Sequence, residues 1–85
     1  MYDVRIIPPA ENDIKDIYTF IKYQLHSPDG AERFRVGILQ AVGSLKENPN
    51  RGAPAPRGTR KIFYKQYKII YKVDGVTVHI IAVTK

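Results

Sequence analysis

The stretch from Thr59 to Val83 constrains the fold most strongly, because its residue pattern predicts three consecutive β-strands. The predicted strands are Thr59–Tyr64, Tyr67–Val73 and Val76–Val83. Asp74-Gly75 is a strong hairpin signal between the last two, since a type I′ turn needs positive φ at both central residues. Lys65-Gln66 makes the other tight connection. The last third of the chain is therefore predicted to form an antiparallel meander.

Successive side chains of a strand point to opposite faces, which sorts this meander into two different surfaces. One face is apolar and aromatic, and it carries Ile62, Tyr64, Tyr67, Ile69, Tyr71, Val73, Val76, Val78, Ile80 and Ala82. The other face carries Lys61, Lys65, Lys68, Lys72 and His79 around Phe63, Ile70, Ile81 and Val83. The apolar face needs a cover. The basic face is the candidate working surface.

The length and charge of the chain limit what it can be. With 85 residues, the chain is predicted to form one domain, residues 1–85. The absence of cysteine excludes disulfides and thiolate metal sites and fits a reducing cytoplasm. No apolar run reaches membrane-spanning length, so we expect no membrane contact. The net charge of +6 is uneven, because Asp and Glu are in excess in residues 1–30 and Lys and Arg dominate afterwards.

This asymmetry has two interpretations. It is typical of a protein that binds a polyanion or an acidic protein. It is also compatible with a solvated, lysine-rich sheet face that discourages aggregation.

The first half of the chain predicts the cover that the apolar face needs. Tyr2–Ile7 alternates like a strand, and Pro8-Pro9 ends it and opens a helix. The apolar stripe of this helix consists of Ala10, Ile14, Ile17, Tyr18, Ile21 and Leu25. Ser27 caps a second helix, which continues to Asn48 and has the stripe Ala31, Phe34, Ile38, Ala41, Val42 and Leu45.

Asn50–Gly58 is rich in proline and glycine and is predicted to be a loop. The element order is then β-α-α-β-β-β. The predicted fold class is α+β, with a two-helix hairpin packed on one face of a mainly antiparallel four-stranded sheet.

Few kinds of chemistry fit these residues. His26 and His79 lie on separate elements, and the acids lie on helices or turns, so we expect no metal and no cofactor. Metal-free chemistry on a phosphodiester remains possible, with Lys61, Lys65, Lys68 and His79 as candidate catalytic groups. Binding without catalysis is the alternative. Phe63 and Ile70 could stack on bases or form the apolar centre of a protein interface.

Several phrases together resemble the RelE/ParE superfamily, the toxins of type II toxin–antitoxin modules. They are PPAENDIKDIYTFI, ERF, LKENPNRGAP and RKIFYKQYKIIYKVDGVTVHIIAV, in that order. The segment YKIIYKVDG (Tyr67–Gly75) is similar to the strand and turn of that family. The resemblance covers essentially the whole chain and implies the fold predicted above.

The resemblance implies one of two activities. RelE-type members cleave mRNA on the ribosome without a metal, and Lys61, Lys65 and Lys68 fall near their basic sheet positions. ParE-type members inhibit DNA gyrase and are not nucleases. The sequence stops at Val83-Thr84-Lys85, without the arginine and the tyrosine or histidine that the nuclease branch carries there, and the LKENPNRGAP loop is more ParE-like.

We therefore expect a ParE-like gyrase inhibitor. A RelE-like endoribonuclease and an inactive toxin that only binds antitoxin are the alternatives, and whether the protein is an enzyme stays open.

The resemblance also implies partners. A small antitoxin, acidic where it touches the toxin, is expected to neutralise the protein, and DNA is expected only indirectly, through the antitoxin complex. The basic sheet face is the expected surface for the target or the antitoxin. Its residues are Arg60, Lys61, Phe63, Lys65, Lys68, Ile70, Lys72, His79, Ile81 and Lys85.

Overall fold

The computed structural model describes residues 1–85 and has two helices packed on one five-stranded sheet. The strands are β1 (Asp3–Ile6), β2 (Ala53–Ala55), β3 (Thr59–Tyr64), β4 (Tyr67–Asp74) and β5 (Thr77–Thr84). The helices are α1 (Pro8–Thr19) and α2 (Pro28–Gly43). The strand order is β1-β5-β4-β3-β2, and only the β1–β5 pair is parallel. The predicted α+β class, with a helix pair on a mainly antiparallel sheet, is confirmed.

The helix starts follow the local sequence signals. Pro8 and Pro9 occupy the first turn of α1, where their fixed φ is favourable and the missing N–H costs nothing. Ser27 caps α2, because its Oγ accepts a hydrogen bond of 3.1 Å from the Gly30 N–H. α2 ends at Gly43 and is followed by 3₁₀ turns at Ser44–Lys46 and Pro49–Arg51.

The core lies between the helices and one face of the sheet. α1 packs over β5 and α2 over β3. The fully buried large side chains are Tyr71, Ile38, Leu45, Ile69, Ile80 and Val78. Phe34 of α2 meets Tyr67 of β4 edge to face, with ring centroids 4.8 Å apart. Each fully buried aliphatic side chain contributes about 1.5–3 kcal/mol, so this single layer supplies most of the stability. No helix of the structure is both long and apolar enough to cross a membrane.

The sheet has one strand more than predicted. β2 lies inside the segment Asn50–Gly58, which the sequence predicted to be a loop, and it pairs with β3 from Ala53↔Lys61 to Ala55↔Thr59. Three residues are too few to show a strand period. Pro54 can sit in β2 because β2 is the edge strand and needs hydrogen bonds on one side only.

A β-bulge in β5 reverses the predicted faces at the end of that strand. Tyr71 pairs with Ile80 while Ile70 pairs with Ala82, so Ile81 is an extra residue. Val83 consequently points into the core, where it is 3% exposed, and Ala82 turns to the other face. The period-two prediction had placed them the other way round. Val76, predicted to be in the core, belongs to the β4–β5 turn and is 72% exposed.

The end of α1 also departs from the predicted helical stripe. Phe20–Gln24 forms a π-helical turn, in which the Leu25 N–H donates to the Phe20 carbonyl five residues earlier. The wider turn takes Leu25 out of the stripe and leaves it 57% exposed. Phe20 and Tyr23 are exposed on the same turn.

A buried hydroxyl group fixes the connection between α2 and the sheet. Tyr71 is fully buried, and its Oη donates to the Pro49 carbonyl (2.6 Å) and accepts from the Gly52 N–H (3.0 Å). Gly52 is needed for this approach, since a Cβ there would lie 2.4 Å from the Tyr71 Oη. The aromatic ring serves the core while its hydroxyl group holds the loop.

Replacing Tyr71 by phenylalanine should lower the free energy of unfolding by about 1–3 kcal/mol, because a buried carbonyl and a buried N–H would lose their partner. Urea denaturation monitored by circular dichroism measures this change. Tyr67→Phe is the matched control, since Tyr67 is also buried but its hydroxyl group makes no hydrogen bond within the chain. Equal losses in both variants would contradict the role assigned to the Tyr71 hydroxyl group.

Asp13 of α1 completes the hydrogen bonding of β5 where β1 no longer runs beside it. β1 ends at Ile6, opposite Ile80, and the Val83 N–H further along donates to Asp13 Oδ2 at 2.9 Å. Asp13→Ala should therefore cost about 1–3 kcal/mol of stability, whereas Asp13→Asn, which keeps an acceptor, should cost less. Asp16→Ala removes a neighbouring acid without such a bond and is the control. Thermal unfolding of the four proteins would test this order, and a larger loss in the Asp16 variant would refute it.

Candidate functional site

The candidate site is the face of the sheet that no helix covers, which we call the open face. Cross-strand pairing arranges its side chains in rows, and three of these rows contain the predicted residues. They are Arg5–His79–Lys72, Lys61–Ile70–Ala82 and Phe63–Lys68–Thr84, and the row Asp3–Thr77–Asp74 lies beside the first. The rows bring together seven of the predicted residues: Lys61, Phe63, Lys68, Ile70, Lys72, His79 and, at the bulge, Ile81.

The lysines of the open face have no acidic partners, whereas Arg5 on the same face is paired with Asp3. The chain contains two ion pairs, Arg5–Asp3 (2.9 Å) and Arg35–Glu32, and none involves Lys61, Lys68 or Lys72. Asp74, at the hairpin turn, is the only other acid on this side of the sheet. The helix segment 8–43 has slightly more acids than bases, so the positive charge is concentrated on the sheet and its loops.

Apolar side chains lie among these cations. Phe63 is 58% exposed and lies directly across from Lys68. Ile70 and Ile81 are half-buried. A surface of this kind can bind an anionic partner that also offers a flat or apolar group.

Arg60 lies on the other face, contrary to the prediction. It pairs with Tyr71 and therefore shares the helix-covered side with Ile62. Its Nη1 donates to the carbonyls of Gly52 (2.7 Å) and Asn50 (3.4 Å). Strand alternation already requires this placement once Ile62 is in the core. The guanidinium group and the Tyr71 hydroxyl group thus both hydrogen-bond to the backbone of the segment that precedes β2.

Lys65 and Lys85 lie at the rim and not on the open face. Lys65 is the first residue of the β3–β4 turn, with φ of 53°, and its Nζ lies 5.7 Å from the centroid of the Tyr64 ring. Lys85 follows β5, and its Nζ lies 5.3 Å from the Phe20 ring on the helix side. Neither residue lies within a strand, so the alternation pattern does not describe their positions.

Sequence reasoning missed Arg5 as a member of this face. Arg5 pairs with His79 across the parallel β1–β5 ladder. The alternation of Val4, Arg5 and Ile6 shows that Arg5 faces away from the core. The sequence could not show that β1 inserts beside β5, so the neighbour of Arg5 was unknown.

A second surface lies between the two helices, next to the end of β1. Ile14, Tyr18 and Leu39 line an open cavity of about 310 Å³ together with Arg35. Hydrogen bonding from Arg35 lowers the pKa of Glu32, which lies beside it on α2. Arg35 at this groove is therefore paired with an acid, unlike the lysines of the open face.

The open face offers positive charge without an evident catalytic arrangement around His79. His79 has Lys72 and Arg5 as its cross-strand neighbours, and no carboxylate lies beside it in these rows to orient its ring. No three or more His, Asp or Glu side chains come together in the way that a metal ion would need. Lys61, Lys68 and Lys72 offer positive charge, which can position a phosphate or carboxylate group or stabilise charge in a transition state.

The family comparison agrees with the fold. The model of the ParE toxin of the type II toxin–antitoxin system parDE matches residues 4–85. The chain is thus a toxin-family domain of the RelE/ParE superfamily, as the sequence phrases predicted. More specifically, it belongs to the ParE toxin family.

Solved structures show the same architecture. The chain superposes on a chain of the chromosomal ParDE toxin–antitoxin system of P. aeruginosa with a TM-score of 0.85 and 22% identity, covering 100% of this chain and 96% of that one. It superposes on a chain of the RelBE2 toxin–antitoxin complex of Mycobacterium tuberculosis with a TM-score of 0.70 and 26% identity, covering 98% and 95%. No curated protein matches the sequence.

Two adjacent residues of β3 test the assignment of the faces. Arg60→Ala should lower the free energy of unfolding by about 1–3 kcal/mol, since the loop carbonyls lose a charged donor. Lys61→Ala removes the same charge from the open face and should change stability by less than about 0.5 kcal/mol. Chemical denaturation of both variants measures the difference. Similar losses for the two variants would show that the faces are assigned wrongly.

Proposed function

We propose that this protein is the toxin of a type II toxin–antitoxin module that inhibits DNA gyrase by binding and is neutralised by a cognate antitoxin. The observation that carries the proposal is the match of the ParE toxin family over residues 4–85. With such a target and antitoxin, we expect the protein in the cytoplasm. A module of this type would serve plasmid stabilisation or an equivalent chromosomal role.

The exposed side chains of the protein support the proposal that it binds other proteins. Unpaired lysines cover the open face, and large apolar side chains are exposed on the helix side, at Phe20, Tyr23, Leu25 and Leu39. Exposed apolar groups rimmed by charge are typical of protein-binding surfaces. The similar solved chains come from a ParDE system and a RelBE2 complex, which supports an antitoxin partner here.

Ribosome-dependent mRNA cleavage is the second candidate function. The observation in its favour is that Lys61, Lys68 and His79 share the open face. Cleavage without a metal would need cations to stabilise the developing negative charge and a group to move a proton, and His79 is suited to the second task.

The deciding experiment is induced expression without an antitoxin, followed by two measurements on the same cells. We expect growth arrest, uncut reporter mRNA in primer extension, and loss of negative supercoiling in a plasmid. With purified gyrase and relaxed plasmid, the protein should inhibit supercoiling in proportion to its concentration. Lys61→Ala together with Lys68→Ala should abolish toxicity if the open face is a nuclease site.

Three other outcomes have definite meanings. Codon-phased mRNA cuts with normal plasmid topology would replace gyrase inhibition by endonuclease activity. Toxicity that survives the double lysine variant would remove the nuclease candidate. Normal growth with neither effect would leave a protein whose only function is to bind an antitoxin.

A further inference from the structure

We propose that the protein contacts DNA gyrase through the turn between its two helices, where Phe20, Tyr23 and Leu25 enter a concave site with an acidic rim. These three side chains are called the turn patch below. The site depends on the proposed function, because gyrase is the target only under that proposal. It goes beyond that proposal by locating the contact at the closed end of the helix pair and not on the open face.

The backbone of this turn brings apolar side chains to the surface. Phe20–Gln24 is a π-helical turn, and the Leu25 N–H donates to the Phe20 carbonyl at 3.1 Å, so these two residues lie one turn apart on the same side. Tyr23 is 61% exposed, Leu25 57% and Phe20 43%. His26, which follows, has a φ of 52° that a side chain adopts at a cost. π-helical turns are frequent at functional sites, where such costs are retained.

The turn patch is held in place before any partner binds. Ile21, on the same turn, is buried and belongs to the core. The Ser27 N–H donates to the Ile21 carbonyl (3.1 Å), and the Ser27 hydroxyl group caps α2. Little backbone entropy is therefore lost on binding, and aromatic side chains on a fixed backbone are effective binding residues.

Two lysines lie over the rings of the turn patch. The Lys85 Nζ lies 5.3 Å from the centroid of the Phe20 ring, and the Lys22 Nζ lies 5.3 Å from that of the Tyr23 ring. Asp16 lines the cavity beside Phe20, but neither lysine makes an ion pair with it or with another acid. A partner that buries the rings must also meet these two cations, and carboxylates at its rim would pair with them.

A cleft of a large folded protein fits the turn patch better than two other occupants. Two copies of the chain would meet turn to turn, and three side chains bury only on the order of 300 Å², well short of the roughly 800 Å² per partner of a stable interface. An extended or helical segment needs a groove, such as the one lined by Ile14, Tyr18 and Leu39. A projecting turn needs a concavity that surrounds it, and clefts of this kind are typical of enzymes.

The test is inhibition of DNA supercoiling by purified gyrase, together with biolayer interferometry of the purified chain on immobilised gyrase. The triple variant Phe20→Ala, Tyr23→Ala, Leu25→Ala should raise the inhibitory concentration and the Kd at least about 30-fold, the loss expected from a single dominant interface residue. Val36→Ala with Leu39→Ala removes exposed aliphatic side chains from α2 and is the matched control. It should leave both values within about two-fold of wild type.

Circular dichroism establishes that each variant is folded. Tyr23→Ala alone changes the most exposed member of the turn patch and keeps the test valid if the triple variant unfolds. It should raise the Kd about ten-fold.

Charge reversal at the rim tests the acidic character of the gyrase site. Lys22→Glu with Lys85→Glu should slow association about ten-fold at low salt and much less at high salt, because screening removes the long-range attraction. Lys15→Glu with Lys46→Glu makes the same charge change at two other exposed lysines and should have the smaller effect. Equal slowing in both variants would show that net charge, and not an acidic rim around the turn patch, governs association.

The remaining outcomes separate this site from the proposed function. Loss of binding and inhibition in the triple variant, with the α2 control unchanged, supports the turn patch. Equal inhibition by wild type and triple variant would overturn the turn patch and leave gyrase inhibition intact. A wild-type chain that neither binds nor inhibits gyrase would overturn both.

Two other occupants of the turn patch would also be recognised. If the triple variant inhibits gyrase normally but escapes neutralisation by the cognate antitoxin, the turn patch binds the antitoxin. If it inhibits normally but loses a concentration-dependent dimer seen for wild type in analytical ultracentrifugation, the turn patch binds a second copy. Either result overturns the assignment to gyrase.

Discussion

The structure depends on one constraint, which is that two helices can cover only one face of the sheet. Packing of α1 and α2 against Ile62, Ile69, Tyr71, Val78 and Ile80 forms the core. No element of the structure lies on the other side of the sheet. That face is open to water here, and lysines with long, charged side chains suit such a position. The candidate site is therefore a consequence of how the core is built.

Hydrogen bonds from polar side chains, which we call polar anchors, fix the parts of the chain that this packing does not hold. The segment from Pro49 to Gly58 has few apolar side chains of its own, and it is held by the Tyr71 hydroxyl group and the Arg60 guanidinium group. Asp13 does the same for β5 beyond the end of β1. Each anchor reaches from the core side to a backbone group that lacks a ladder partner. Buried backbone groups need such partners, because leaving one unsatisfied costs more than the bond itself contributes.

The features that oppose stability lie away from the core and near the surfaces that could bind partners. The π-helical turn exposes Phe20, Tyr23 and Leu25, and the turn residue Lys65 has a positive φ that a side chain adopts at a cost. Phe63 is exposed among the lysines of the open face. A protein that exists mainly in complexes can tolerate such groups, since a partner can bury them.

The sequence by itself determined the two helices, the three-strand meander, the core side of most strands and the family of the protein. These follow from local periodicity, from capping by Ser27 and from the turn at Asp74-Gly75, all of which act between near neighbours. Five of the seven predicted residues now on the open face, Lys61, Phe63, Lys68, Ile70 and Lys72, are placed by the alternation of β3 and β4 alone.

Only the tertiary structure decided the remaining features: the parallel insertion of β1, the edge strand β2, the bulge at Ile81 and the positions of Lys65 and Lys85 at the rim of the open face. Each depends on contacts between residues far apart in the chain, such as Arg5 with His79, Tyr71 with Gly52 and Asp13 with Val83. A local residue pattern contains no information about these distant partners, and their energies override the simple alternation of a strand.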